Sequence, residues 1–261
     1  FLIPEWPIGP SIASLVEQLS LALAKQGLTL VVHAHPRSAR PVAELWKALS
    51  PAAVINHQVL DAAEVQAADS AGMPVVTPTF HSDNVAGGAD FGEFQQGIGR
   101  LQATHLTTSD HRRLGYALPD DDRLLAFARP RLAGVQALCQ RLGLESPVVL
   151  STGLQVAAAA QAVDEWRRLR VTGICAYNDE VALTVLAGMR ARRLSAPADL
   201  SVVGVDDIPA GALTYPALST VATGMSAIGR HLAAAVVCRL AGEPAPPGPG
   251  PDILRLVSRD T

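Results

Sequence analysis

Three short stretches of this 261-residue chain carry side chains able to grip a small polar molecule. In Ala176-Tyr177-Asn178-Asp179-Glu180-Val181, Asn178 stands where a strand gives way to a helix, and its amide can accept and donate at once. The same position is a preferred helix N-cap, and Asp179 and Glu180 suit the positive end of the helix dipole. Capping alone and capping plus ligand contact therefore both stand. In Ser201-Val202-Val203-Gly204-Val205-Asp206-Asp207-Ile208-Pro209 a buried strand delivers two adjacent carboxylates to one sheet edge. Like charges so close repel unless something pairs them. One can cap the helix that follows; the other needs a ligand hydroxyl or a facing arginine. In Phe127-Ala128-Arg129-Pro130-Arg131-Leu132, Pro130 suits the first turn of a helix, which sets two arginines at its positive, unfavourable end. Local stability does not account for them, and the planar five-donor fork of Arg131 matches carboxylates or paired sugar hydroxyls. A plain surface arginine is the other reading, since 19 of the 21 basic residues are Arg.

Other chemistries find no foothold. A dinucleotide site needs glycines after the first strand, but Glu5-Trp6-Pro7-Ile8-Gly9-Pro10 has one glycine and two prolines. No phosphate-binding GxxxxGK[ST] and no GxSxG nucleophile elbow occurs. His33 and His35 alternate at a strand end, and two ligands do not make a metal site. Asp120-Asp121-Asp122 reads as a solvated turn. Cys139, Cys175 and Cys238 have no metal or redox spacing, and their odd number argues against a disulfide framework. The expectation is a binding protein without catalytic step, metal or cofactor.

Composition sets the frame. Apolar residues make up 49% and charged residues 17%, so a substantial core can form. The net charge of −3 is spread along the chain, without the footprint that nucleic acid demands. No apolar run approaches the roughly 18 residues of a membrane span, and no signal peptide opens the chain. A reducing cytoplasm without membrane contact is expected. Phe1-Leu2-Ile3 reads as a strand already under way, which implies residues upstream.

The elements that must position these groups alternate along the chain. Short β-branched runs at 1–4, 28–33, 53–56, 74–77, 113–117, 147–150, 173–176 and 201–205 read as buried strands. Ser11 can cap a helix whose apolar positions Ile12, Leu15, Val16, Leu19 and Leu23 follow the 3.6-residue period, and Gly27 stops it. Asp61 and Glu64 form a capping box, and Gly72 with Pro74 ends that helix. The rhythm breaks over 79–92, a stretch with Gly87, Gly88 and Gly92 that reads as a crossing segment before a helix over 94–107. Residues 243–252, dense in Pro and Gly, lead to a last strand over 253–257. Four βα units on each side of the break predict an α/β fold of two doubly wound, parallel-sheet lobes, with a single large sheet as the alternative. Ligands bind beyond the carboxyl ends of such strands.

The quoted segments together resemble the LacI/GalR family of bacterial transcription repressors. AYNDEVALTVLAGMRARRL, then PADLSVVGVDDIPAGALTYPALSTV, is similar to the family's ANDxxALG and PxDxSVVGxDDIP elements, with Thr220 at the family's threonine position. HRRLGYA (111–117) and RPRLAGVQAL (129–138) resemble two further family elements, although Asp110 replaces a leading glycine. The resemblance is specific from about residue 105 to 225 and looser before 95. It implies a periplasmic-binding-protein-like core of type I, two lobes joined by three crossing strands with a ligand cleft between them. The lobes would be 1–93 plus 223–243 and 94–222 plus 251–261. By position, Arg131, Asn178 and Asp206 would contact a small effector, a sugar. Glu5-Trp6 and Thr79-Phe80 would face it from the other lobe. Thr79 stands where the family often has a carboxylate, and the stretch after Leu150 lacks the family's aromatic. Stacking would then fall to Trp6 or Phe80, either of which can equally be ordinary packing. The family's helix-turn-helix headpiece is absent here, so the chain should sense and form homodimers, and reach operator DNA only through that headpiece. A solute-binding protein of a sugar ABC importer is the alternative. On the regulator reading Arg131→Ala is expected to abolish effector binding with little loss of fold.

Overall fold

Short apolar runs become parallel strands here, and the amphipathic stretches between them become crossover helices. The computed structural model describes residues 1–35, 46, 48–57, 60–78, 91–249 and 253–261. Their contacts divide the chain into two compact units, Phe1–Ala89 with Met225–Gly250 and Asp90–Gly224 with Pro251–Thr261.

The first unit opens with β1 (Leu2–Pro4) and α1 (Pro10–Ala24). Gly9, not Ser11, is the N-cap of α1, because Pro10 takes the first helical position, where its preset φ helps and its missing N–H is not needed. Leu15, Leu19 and Leu23 form the buried stripe, and Gly27, at φ 71°, turns the chain away. The next strand starts later than its apolar run implies: β2 is His33–His35, not 28–33. A strand needs a partner, and β1 supplies one only alongside its own residues. The Phe1 amino group donates to the Val31 carbonyl at 2.7 Å, and Leu2 pairs with His33. Val31 itself stays half exposed. β3 (Val54–Ile55), α2 (Ala62–Ser70) and β4 (Val75–Val76) follow. Both halves of the Asp61–Glu64 capping box form, at 2.8 and 2.9 Å. β1 pairs with β2, β3 pairs with β4, and Leu2 bridges to Asn56, so the parallel order is β2-β1-β3-β4. Leu2, Val54, Leu60, Ala68 and Val75 make one core of this unit.

The second unit begins with α3 (Phe91–Thr108), which starts inside the stretch read as a crossing segment; residues 79–90 lie outside the described ones. Then come β5 (Leu114–Leu118), a 3-10 turn (Asp122–Leu124), α4 (Leu125–Arg141), β6 (Val148–Ser151), α5 (Val156–Arg168), β7 (Gly173–Ala176) and α6 (Asp179–Ala191). β8 (Ser201–Val205), α7 (Pro209–Leu213), β9 (Ser219–Ala222) and β10 (Arg255–Val257) complete it. The order is β6-β5-β7-β8-β9-β10, parallel except for β10 against β9. Strand alternation puts Leu114 and Tyr116 in one core with Leu106 of α3 and Leu138 of α4, while Gly115, facing the other way, lies under Trp166 of α5. The sheet is thus covered on both faces, as parallel sheets require. Helix α8 (Met225–Ala241) returns to the first unit, where Gly229 lets it approach Leu15 and Leu19 of α1. Among the described residues no helix is long and apolar enough to cross a membrane.

Candidate functional site

Both units share one strand order over their first four strands, so each has a point where the crossovers diverge, between β1 and β3 or between β5 and β7. Side chains leaving the carboxyl ends of those strands form the natural binding edge.

In the second unit β7 exits into Tyr177-Asn178 and β8 into Asp206-Asp207. Arg131 reaches this edge from α4, but not as its sequence implied. Pro130 lies inside α4 rather than in its first turn, because Asp121 starts the chain turning earlier: its Oδ1 accepts from Arg123 N at 3.0 Å and caps the 3-10 turn that feeds the helix. The helix dipole therefore does not bear on Arg131. Burial and hydrogen bonding replace it, and the plain surface reading fails with 5% of Arg131 exposed. Its Nε donates to Gln95 Oε1 at 2.7 Å and its Nη1 to the Tyr177 carbonyl at 2.6 Å. The guanidinium carbon also stands 4.9 Å from the Tyr177 ring centroid, a cation–π contact. Nη2 makes no hydrogen bond among the described residues, so part of the fork stays available.

Two glycines set this arginine's place. A Cβ on Gly99 of α3 would overlap the backbone carbonyl of Arg131, and one on Gly134 of α4 would overlap that of Gln96. Only bare backbone lets α3 and α4 come so near, which puts Gln95 beside the guanidinium.

Asn178 is the N-cap of α6, its Oδ1 accepting from Val181 N at 3.0 Å while Nδ2 lies 3.4 Å from Glu180 Oε2. Neither Asp206 nor Asp207 caps α7, whose N-cap is Ile208. Asp207 instead pairs with Arg259, the facing arginine the doublet called for. Both aspartates sit at positive φ, 109° and 54°, conformations that L-residues avoid and that occur where surrounding structure imposes them. Burial pushes the Tyr177 hydroxyl up to about 12; Arg131 pulls it down, and Asp206, Glu180 and Asp121 push it further up. Burial likewise raises Asp179 to about 7, against hydrogen bonds from Thr220 and Ile208 that lower it and against Asp206 and Asp207, which add to the rise.

Arg131 thus contacts Tyr177 directly, Asn178 follows it at the exit of β7, and Asp206, at the exit of neighbouring β8, acts on it electrostatically. The sequence alone assigns Tyr177, Gln95 and Gln102 no role, and it reads Asp179 only as an acid suited to a helix N-terminus. Gln102, fully buried on α3, donates from Nε2 to the carbonyls of Ala176 and Val203 at 2.8 and 2.9 Å and ties the ends of β7 and β8 together. No local pattern marks these residues; the glycines beside them were the available signal.

In the first unit Glu5 is exposed, whereas Trp6 is 7% exposed and meets His57 edge-on with ring centroids 4.9 Å apart. For Trp6 the packing reading therefore has direct support. His57 follows β3, stacks on Phe1 with centroids 6.2 Å apart, and is drawn down to about 4 by burial. Thr79 and Phe80 lie outside the described residues. Among the described residues no group of three His, Cys, Asp or Glu side chains is placed to hold a metal ion.

Comparison with known proteins places this geometry. The profile of the periplasmic binding protein-like domain matches residues 103–261. The HTH-type transcriptional regulator GalS of Salmonella typhimurium is 32% identical over 125 residues, 47% of this chain and 36% of that protein. The HTH-type transcriptional regulator MalR of Streptomyces coelicolor is 31% identical over 157 residues, 56% of this chain and 44% of that protein. The chain thus spans less than half the length of these relatives. A LacI family transcriptional regulator from Enterococcus faecium, solved with bound ribose, superposes with a TM-score of 0.75 at 19% identity, covering 99% of this chain and 97% of that one; at such identity the likeness is of fold alone. The chain belongs to the periplasmic binding protein-like domain family, and within it its likeness is to the effector-binding core of LacI-type transcription regulators.

Proposed function

We propose that this chain is the effector-sensing, dimerising core of a LacI/GalR-type DNA-binding transcription regulator, acting in the cytoplasm. The effector is a small polar metabolite, a sugar, held by Arg131, Asn178 and Asp206 of the second unit and by the strand exits of the first, Glu5-Trp6 and Thr79-Phe80. The observation that carries the reading is that adjacent strands β7 and β8 of one sheet deliver Asn178 and Asp206 at their carboxyl ends, with buried Arg131 bonded to the residue that leaves β7. A guanidinium donates, a carboxylate accepts, and an amide does both, which suits a polyol whose hydroxyls do both. Ribose bound to a protein of the same fold supports the sugar assignment.

Binding that is stronger in one arrangement of the lobes than in another would work the regulator. Moving a two-state equilibrium from 1:99 to 99:1 takes about 5.5 kcal/mol of differential affinity, and hydrogen bonds to charged groups contribute roughly 1.5–3 kcal/mol each. Two to four bonds completed only in the closed state suffice. Operator contacts would come from a helix-turn-helix headpiece, which both named relatives declare in their names. Leu213 at 85% exposure and Tyr215 at 93% are large apolar side chains that a second copy would cover.

Native mass spectrometry of the purified chain, followed by identification of any released small molecule, tests the reading. A bound sugar supports it, and a preparation that carries none and binds none in a calorimetric sugar panel defeats it. Sedimentation separates the regulator from the importer receptor, since the first predicts a dimer and the second a monomer. The matched relatives are regulators, which favours the first.

A further inference from the structure

Asp179 is fully buried, and it is the first residue of α6. Its two oxygens reach out of that helix. Oδ1 accepts from the Thr220 hydroxyl of β9 at 2.6 Å, and Oδ2 accepts from the amide of Ile208, just beyond β8, at 2.9 Å. Gly204 of β8 leaves the room: a Cβ there would overlap Oδ1. The Thr220 oxygen that donates to Asp179 also lies 3.4 Å from the amide of Asp207. From the other side Arg259 takes the Asp207 carboxylate and donates to the Leu218 carbonyl at 2.7 Å. What these contacts enclose is the corner of two consecutive non-glycine residues at positive φ. Such a corner persists only where its neighbours over-determine it.

We propose that Asp179 is a positioning residue: by strapping Ile208 and Thr220 it holds the Asp206–Asp207 corner in its left-handed turn, aims the Asp206 carboxylate, and fixes it relative to Asn178, its own neighbour in the chain. The strap stands on geometry; its bearing on effector binding rests on the function proposed above. The charged groups facing Asp179 are Asp206 and Asp207, the latter already paired with Arg259, and Glu180 lies next to it on its own helix. Burial brings Asp179 to about 7, so its charge changes near neutrality and pH gives the experiment a handle.

The test is NMR on the isotopically labelled 261-residue chain, without any effector. In Asp179→Asn the amide oxygen can accept from Ile208 while the amide nitrogen donates to Thr220. The couplings that report positive φ at Asp206 and Asp207 should persist, and the Ile208 amide should stop shifting with pH near 7. In Asp179→Ala those couplings should move to ordinary negative-φ values, and the Ile208 amide should exchange roughly 10- to 100-fold faster, as loss of a hydrogen bond to a charged group implies. A folded Asp179→Ala with unchanged couplings overturns the proposal. So does an Asp179→Asn protein whose Ile208 amide still titrates near 7. Should the alanine variant fail to fold, Thr220→Val cuts one link without adding charge, and unchanged Asp207 couplings there overturn it equally. A negative result here leaves the proposed function untouched, and a failed effector search leaves the strap untouched.

Discussion

Arg131 and Tyr177 meet twice: Nη1 donates to the Tyr177 carbonyl at 2.6 Å, and the guanidinium carbon stands 4.9 Å from the centroid of the same residue's ring. With Nε held by Gln95, the guanidinium plane is fixed from three directions before any ligand arrives. Groups held in place in advance lose less freedom on binding, which favours affinity.

That fixation changes what removing Arg131 should do. Truncation to alanine leaves Gln95 Oε1 and the Tyr177 carbonyl without their donor in a buried place. The expectation of little loss of fold therefore gives way to a loss of about 2–4 kcal/mol. Arg131→Lys keeps the charge but not both bonds, and should fall in between. Urea unfolding of the two variants beside the unaltered chain measures this. An alanine variant as stable as the unaltered chain would contradict the buried network.

Gly99→Ala should act on the same arginine from behind. Its methyl has no space against the Arg131 backbone, so α4 must move away from α3, at a cost of about 1–3 kcal/mol. The Arg131–Gln95 bond should open with it. A crystal structure of the variant that still holds that bond near 2.7 Å would refute the claim.

Asn178 allows capping and ligand contact to be separated. Asn178→Asp keeps an acceptor for the Val181 amide and should preserve stability, but it removes the amide donor. Asn178→Ala loses the cap as well and should cost about 1 kcal/mol. If the effector identified by mass spectrometry binds the aspartate variant as tightly as the unaltered chain, Asn178 is a cap and nothing more.

Much of this architecture was legible because the responsible forces are local. The capping box at Asp61 and Glu64, the left-handed stop at Gly27 and the alternation of strand and helix each depend on residues a few positions apart. The errors arise where a distant partner decides. Leu28 to Val32 has strand composition but pairs with no strand among the described residues, so the ladder begins at His33. Pro130 looked like a helix start until Asp121 began the turn ahead of it. Arg131, Asn178 and Asp206 were recognisable by residue type and position. Gln95 and Gln102 were not, and Asp179 showed only its fitness for a helix N-terminus, since their roles come from α3, β9 and the strand ends meeting in space, with only Gly99 and Gly204 as silent markers.

Acid should weaken the two units differently. His57, 5% exposed, is held neutral, with its value drawn from 6.5 to about 4. The unfolded chain therefore takes up this proton first. Its contribution is fully present above about 6.5 and is lost as pH falls towards 4, about 3 kcal/mol in all. Asp179 works in the opposite sense: with a folded value near 7 against 3.8, its burial costs stability as pH rises through that interval. Fluorotryptophan NMR should show Trp6 in the first unit losing its folded signal on acidification before Trp166 in the second. His57→Leu should abolish the difference, and simultaneous loss in the unaltered chain would count against this assignment.

The first unit draws its helix α8 from residues 225–241, beyond nearly all of the second. A ribosome that has released the chain only as far as residue 89 has therefore made an unfinished first unit, because α8, whose Gly229 packs against the α1 backbone at Leu15 and Leu19, has not arrived. The later half of the molecule can mature while the earlier half waits for chaperones or for the end of translation. Cutting the gene once between the halves would strand that helix on the wrong fragment, whereas a rearranged gene that moves 225–250 ahead of Phe1 and joins 224 to 251 would give each half an uninterrupted stretch of chain.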